Sequence, residues 1–261
     1  MQTRTLVSAQ LRASVAAAMQ YRADFLVDGL VEVLWMSSAI VPLWVVFSMH
    51  ATLAGWTASE ALLVTAFFTI LQGVMEGCIA PSMLSVVEQV RKGTFDFVLL
   101  KPVDDQLYVS TAKIQLWKCV NVITGVVLII ISVAKSGRVP SLGAALHTCV
   151  MLGAATGILY AIWLMGVSLA FRFGRMDNLT YLFVSIFDAA RWPGSVFRGA
   201  MRVVFTYVIP LTVMTTFPAR ALLGNLPVSE TAVGVAISAG FLVLSRIVWK
   251  RSLRNYTSAS S

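Results

Sequence analysis

Charge is scarce in this chain. Asp, Glu, Lys and Arg make up 12% of its 261 residues, about half the share of a soluble domain. Histidine is scarcer, with His50 and His147 alone. Neither has a ligand partner three or four residues away, which argues against a metal site. Cysteine is limited to Cys78, Cys119 and Cys149, all in or beside apolar runs. An odd number without local pairing gives no disulfide framework, and we read the three as small buried hydrophobes. No G-x-x-x-x-G-K-[ST] occurs, so the chain has no Walker phosphate loop of its own. No G-x-S-x-G or H-E-x-x-H occurs either. Two histidines and scattered acids make a membrane-embedded enzyme a poor reading.

What is abundant is apolar sequence. Hydrophobic residues are 58% and mean hydropathy is +0.81, beyond what a soluble core of this length could hide. The fold class expected is an all-α integral membrane protein forming one domain over 1–261. A spanning helix needs about 20 mostly apolar residues, and backbone satisfaction in lipid favours helices. Six segments qualify: 28–49, 61–84, 114–134, 142–171, 199–217 and 231–249. Pro42 and Pro210 lie inside the first and fifth and should bend them. Thr57-Ala-Ser-Glu60 is a capping box opening the second, with Trp56 as an interfacial anchor. The apolar run in 178–194 is short for a crossing and reads as an interfacial or partly inserted helix ended by Trp192-Pro193-Gly194; a crossing there would move the C-terminus to the other side. Gly153-Ala-Ala-Thr-Gly157 is a G-x-x-x-G match suited to close helix packing.

The ends of the spans carry the charge. Residues 1–24 place Leu6, Val7, Leu11, Val15 and Met19 at helical spacing among Arg4, Arg12 and Arg22, as in an amphipathic interfacial helix. They lack the apolar core of a signal peptide. With both termini inside, 17 of the 20 basic residues fall on the cytoplasmic side, as the positive-inside rule requires. Anionic lipid then answers the net charge of +8, with no nucleic-acid partner needed. Pro218 and Gly224 suit the start and stop of a short helix, so 218–230 reads as a re-entrant external piece.

Intramembrane acids are functional candidates. Asp24, Asp28 and Glu32 share one helix face at the start of the first span. Glu76 lies in the second, with Gln72 one turn before it. These residues could line a path or pair with basic neighbours. A stand-alone ion-coupled carrier or channel would use Asp28, Glu32 and Glu76.

The densest charge cluster is "EQVRKGTFDFVLLKPVDDQLYVS", Glu88 to Ser110. Val87, Val90, Phe95, Val98 and Leu99 or Leu100 could form an apolar stripe beside Glu88, Arg91, Lys92 and Asp96. Pro102 ends that piece, and Asp104 and Asp105 can cap the next helix. A short apolar element ringed by both charge signs suits a groove on another protein. A segment lying on lipid headgroups would be mostly basic.

Arg91-x-Gly93-x-x-Asp96-x-x-Leu99-Leu100-Lys101-Pro102 resembles a motif of the small six-span permeases of ABC transporters, of the type-2 exporter class. The likeness continues at 55–60, at 190–224 and at 253–260. It departs from the fullest form at Phe95, where leucine is commoner, and at the basic pair Arg91-Lys92. The resemblance implies that 85–112 is a cytoplasmic coupling segment docking on a separate ATPase, through Glu88, Arg91, Lys92, Gly93, Phe95, Asp96, Leu99, Leu100, Lys101 and Pro102. It implies that 1–24 is an elbow helix. It implies two ATPase subunits carrying ATP and magnesium, and a second permease, identical or related. The chain itself would hold no cofactor and would sit in the plasma or inner membrane.

Overall fold

A computed structural model describes residues 2–20, 31, 34, 40–137, 139–173, 177–254 and 256. The regular elements among them are helices. The chain opens with α1 (Gln2–Gln20) and the apolar α2 (Ile40–Met49). Then comes α3 (Ala58–Arg91), 34 residues long. Two short helices, α4 (Asp96–Leu99) and α5 (Asp105–Ser110), follow. Next are α6 (Leu116–Ser136), α7 (Leu142–Phe173) and α8 (Asp177–Asp188), which a 3-10 turn prolongs to Arg191. A bent pair, α9 (Ala200–Val208) and α10 (Thr212–Leu222), precedes α11 (Val228–Arg254). Four helices are long and apolar enough to cross a membrane, or five if the bent pair counts as one.

α3 is the centre of the bundle: 78% of its most apolar stretch is buried, against 17% for α11. Its first turn is closed as the sequence predicts. The Glu60 N–H donates to Thr57 Oγ1 at 3.4 Å, and Glu60 Oε2 accepts from the Thr57 N–H at 3.0 Å. The helix widens into a π turn at Met75–Ile79. Pro81 has no N–H for the Gly77 carbonyl, and the Gln115 N–H takes that carbonyl at 2.7 Å.

α6 runs back along α3, because small residues let the backbones meet. A side chain at Gly125 would stand 2.8 Å from the Ala66 carbonyl, and one at Gly73 3.0 Å from the Val122 nitrogen. α7 and α11 are parallel. His147 shares a hydrogen bond with Thr231, and Ser238 Oγ donates to the Ala154 carbonyl at 2.9 Å. Of the G-x-x-x-G pair, Gly157 meets Ser238 and Leu242, while Gly153 faces open space. Cys78 and Cys149 are exposed, not buried as expected.

α8 turns back along α7: Phe183 covers Gly166, Phe187 stacks on Phe68 at 5.0 Å, and Thr65 Oγ1 donates to the Arg191 carbonyl. The chain then reaches the capped start of α3, where Ser195 Oγ donates to the Ala54 carbonyl and the Trp56 indole donates to Ser195. From there α9 and α10 follow as a pair bent by 69°. Pro210 lies at the bend, where it supplies no N–H to continue the helix. Arg202 and Arg220 line one cleft with Ala54 and Trp56. Residues 218–222 are the end of the second helix of the pair.

Candidate coupling site

The opposite end of the bundle carries residues 92–114. α3 stops at Lys92, and Gly93 turns left-handed at φ +68°, a conformation that suits glycine. The Thr94 N–H returns to the Gln89 carbonyl at 2.9 Å. This reversal sends Phe95 inward. Phe95 is fully buried, with ring centroids 5.1 Å from Phe171, 5.8 Å from Tyr256 and 6.3 Å from Trp249. Val98, one turn on, is buried with it.

The next residues point outward. Leu100 is 80% exposed, Phe97 68% and Leu99 43%. Lys101 and Pro102 are exposed beside them. Lys101 Nζ lies 3.9 Å from the Tyr108 ring centroid and donates to its hydroxyl. Glu88 and Lys92 pair at 2.6 Å on the last turn of α3, and Arg91 is exposed nearby.

A polar clamp fixes the segment to the bundle. Asp104 caps α5, accepting from the Leu107 N–H at 3.1 Å. The same carboxylate holds Arg246 of α11 by two bonds, at 3.1 and 2.5 Å. Hydrogen bonding to Arg246 keeps the Asp104 carboxyl below the usual aspartate range. Arg246 also donates to Gln106, whose amide donates to the Tyr160 hydroxyl of α7 at 2.9 Å. The buried Trp249 donates to Asp105 at 2.7 Å. Burial, then the charge of Asp96, push the Tyr256 hydroxyl's pKa up. α1 lies across the far side of α5: Gln10 donates to the Tyr108 carbonyl, and Thr111 donates to Gln10.

The ten coupling residues inferred from the motif thus divide. Glu88, Arg91, Lys92, Leu99, Leu100, Lys101 and Pro102 are exposed; Gly93 and Asp96 are partly buried. Phe95 is a correction. Its ring packs within the chain's own aromatic cluster and has no surface to offer another protein. The expected single stripe is two faces, because a four-residue helix after a tight reversal turns alternate apolar residues in opposite directions. Phe97, Arg246 and Trp249 were missed. Phe97 follows Phe95 directly, so spacing alone could not say which faced out. Arg246 and Trp249 entered only as a terminal charge and an apolar residue, although their i, i+3 spacing places both on one helix face.

Glu76 accepts from Gln72 at 2.9 Å and pairs with Lys118 at 2.7 Å, as its structural alternative required. Asp24, Asp28 and Glu32 lie outside the described residues. Among the described residues no group of three or more His, Cys, Asp or Glu could hold a metal.

A family model described as ABC-2 family transporter protein matches residues 33–260. No curated protein and no solved structure gives a significant match. The match covers the helical bundle, the bent pair and the clamped charged end together, and so the chain belongs to the ABC-2 transporter family as a membrane permease.

Proposed function

We propose that this chain is the membrane subunit of an ATP-driven exporter whose ATPase is a separate protein. The observation that carries the reading is the outward face of 97–102. Phe97, Leu99 and Leu100 are exposed on an element anchored from below by Phe95 and tied to α7 and α11 by Asp104, Gln106 and Arg246. Exposed apolar residues on a rigid, charge-ringed mount suit a protein groove. A movement imposed there would reach the bundle through the clamp as well as through the chain.

In this reading residues 1–24 are the elbow helix and 85–112 the coupling segment, on the cytoplasmic side with both termini. The six crossings are the segment ending in α2, then α3, α6, α7, α8 and α11. The α9–α10 hairpin enters and leaves from the outside. Two ATPase subunits, carrying ATP and magnesium, work beneath a pair of permeases in the inner membrane. ATP closes the ATPases together and pulls the docked segments, which repack the helices around a central path.

Tagged chain recovered from its native membrane in mild detergent should bring a stoichiometric Walker-containing subunit with it. Recovery of the chain alone from several mild detergents would contradict the reading.

A further inference from the structure

The end of the bundle opposite the coupling segment holds a cleft of about 690 Å³. Its polar lining is Ser195, Thr206, Thr212, Thr216 and Ser229. Much of it is satisfied internally. Thr206 donates to the Arg202 carbonyl at 2.7 Å, Thr216 accepts from the Gly194 N–H at 3.0 Å, and Ser195 accepts from Trp56. Arg220 is neutralised by Glu230 through both guanidinium nitrogens. Arg202 also lines the cleft, and among the described residues no acidic side chain pairs with it.

Its apolar lining is Val203, Val213, Phe217, Val233 and Ile237. A second cleft of about 370 Å³ lies on the other side of the bend, walled by Trp163, Phe183, Phe187, Ile209, Phe241 and Val248. Val233, Ile237 and Phe241 recur at four-residue spacing, so they form one stripe on α11 leading from the first cleft to the second. From Val233 to Phe241 that stripe rises about 12 Å. Arg202, without an acidic partner among the described residues, thus shares a cleft with the start of a long apolar track.

We infer that these clefts bind one anionic amphiphile, its phosphate or carboxylate on Arg202 and its acyl chain along Val233, Ile237 and Phe241. A fully soluble anion would have no use for the track, and a neutral lipid none for Arg202. The head chemistry is common to an anionic phospholipid of the bilayer and to an anionic amphiphilic cargo. The site stands on these clefts alone and is independent of ATPase docking.

Native mass spectrometry of the purified chain in non-ionic detergent tests it, with phosphatidylglycerol, dodecyl phosphate and phosphatidylcholine as probes. Saturable binding of the two anions is expected, at least tenfold tighter than that of phosphatidylcholine. Arg202→Gln should weaken anion binding at least tenfold, and Arg202→Lys should restore most of it. Ile237→Trp, which obstructs the track, should weaken both anions while the variant still elutes as a folded species. Phosphatidylglycerol retained through purification by the wild type and lost from Arg202→Gln points to the bilayer as source. Dodecyl phosphate binding without a retained lipid points to cargo. Equal binding of all three probes, or anion binding unchanged in Arg202→Gln, overturns the site.

Discussion

Phe95 and Leu100 are five residues apart and do opposite work. Phe95 fills an aromatic cluster against Phe171, Trp249 and Tyr256, so Phe95→Ala should cost about 3–5 kcal/mol of stability, read as a fall in melting temperature in detergent. Leu100→Asp removes an exposed side chain and should leave stability within about 0.5 kcal/mol. Asp104 makes a third case. Its carboxyl titrates below the ordinary aspartate range because Arg246 bonds its charged form. A folded-state pKa below the unfolded value gives stability that is fully present above about pH 5 and lost as pH falls through the folded pKa. Melting temperatures of wild type and Asp104→Asn should therefore differ by a constant amount from pH 5 to 7, and converge below pH 4. The motif 91–102 marked this region in the sequence. It did not reveal that Phe95 is spent on the chain's own core, because burial there depends on residues 76 and more positions away.

At the scale of elements, close helix approach follows backbone contact and not the G-x-x-x-G pattern by itself. Gly125→Val should force α3 and α6 apart, since its side chain would stand against the Ala66 carbonyl and Ile70. Gly153→Val meets nothing within 4 Å and should melt near the wild-type temperature. The two melting curves check the claim directly. The capping box before α3 was legible because it is local: four residues satisfy one another. The path into the α9–α10 pair was not. Residues 199–217 are as long and apolar as a span, and Pro210 is equally compatible with a bent crossing and a reversal. The proposed reversal rests on Ser195 meeting Ala54 and Trp56, about 140 residues apart in the chain. The short apolar run of α8 was passed over for its length, yet with its 3-10 turn it rises roughly 22 Å.

At the scale of the molecule, the proposed path of the α9–α10 pair changes which residues would share a side. Arg191, Arg198 and Arg202, taken from charge bias as cytoplasmic, lie at or near the end that holds Ala54 and Trp56. The remaining basic residues favour the end of the coupling segment, and the proposed orientation rests on that smaller bias. In a background without native cysteines, Ser195→Cys and Ser141→Cys should both react with an impermeant maleimide added outside intact cells. Leu100→Cys should react only after permeabilisation. A Ser195→Cys thiol reached only from inside would return the α9–α10 pair to a simple crossing.

The central claim is that the outward face of 97–102 receives an ATPase. Its most direct test is the affinity of the co-purified ATPase subunit for the permease in lipid nanodiscs, with wild type compared to a Phe97→Asp, Leu100→Asp double variant. Apolar anchors of this kind dominate binding when they matter. The account predicts a loss of at least about thirtyfold in affinity, with the melting temperature of the isolated permease unchanged. An ATPase that binds the double variant as tightly as the wild type would contradict it.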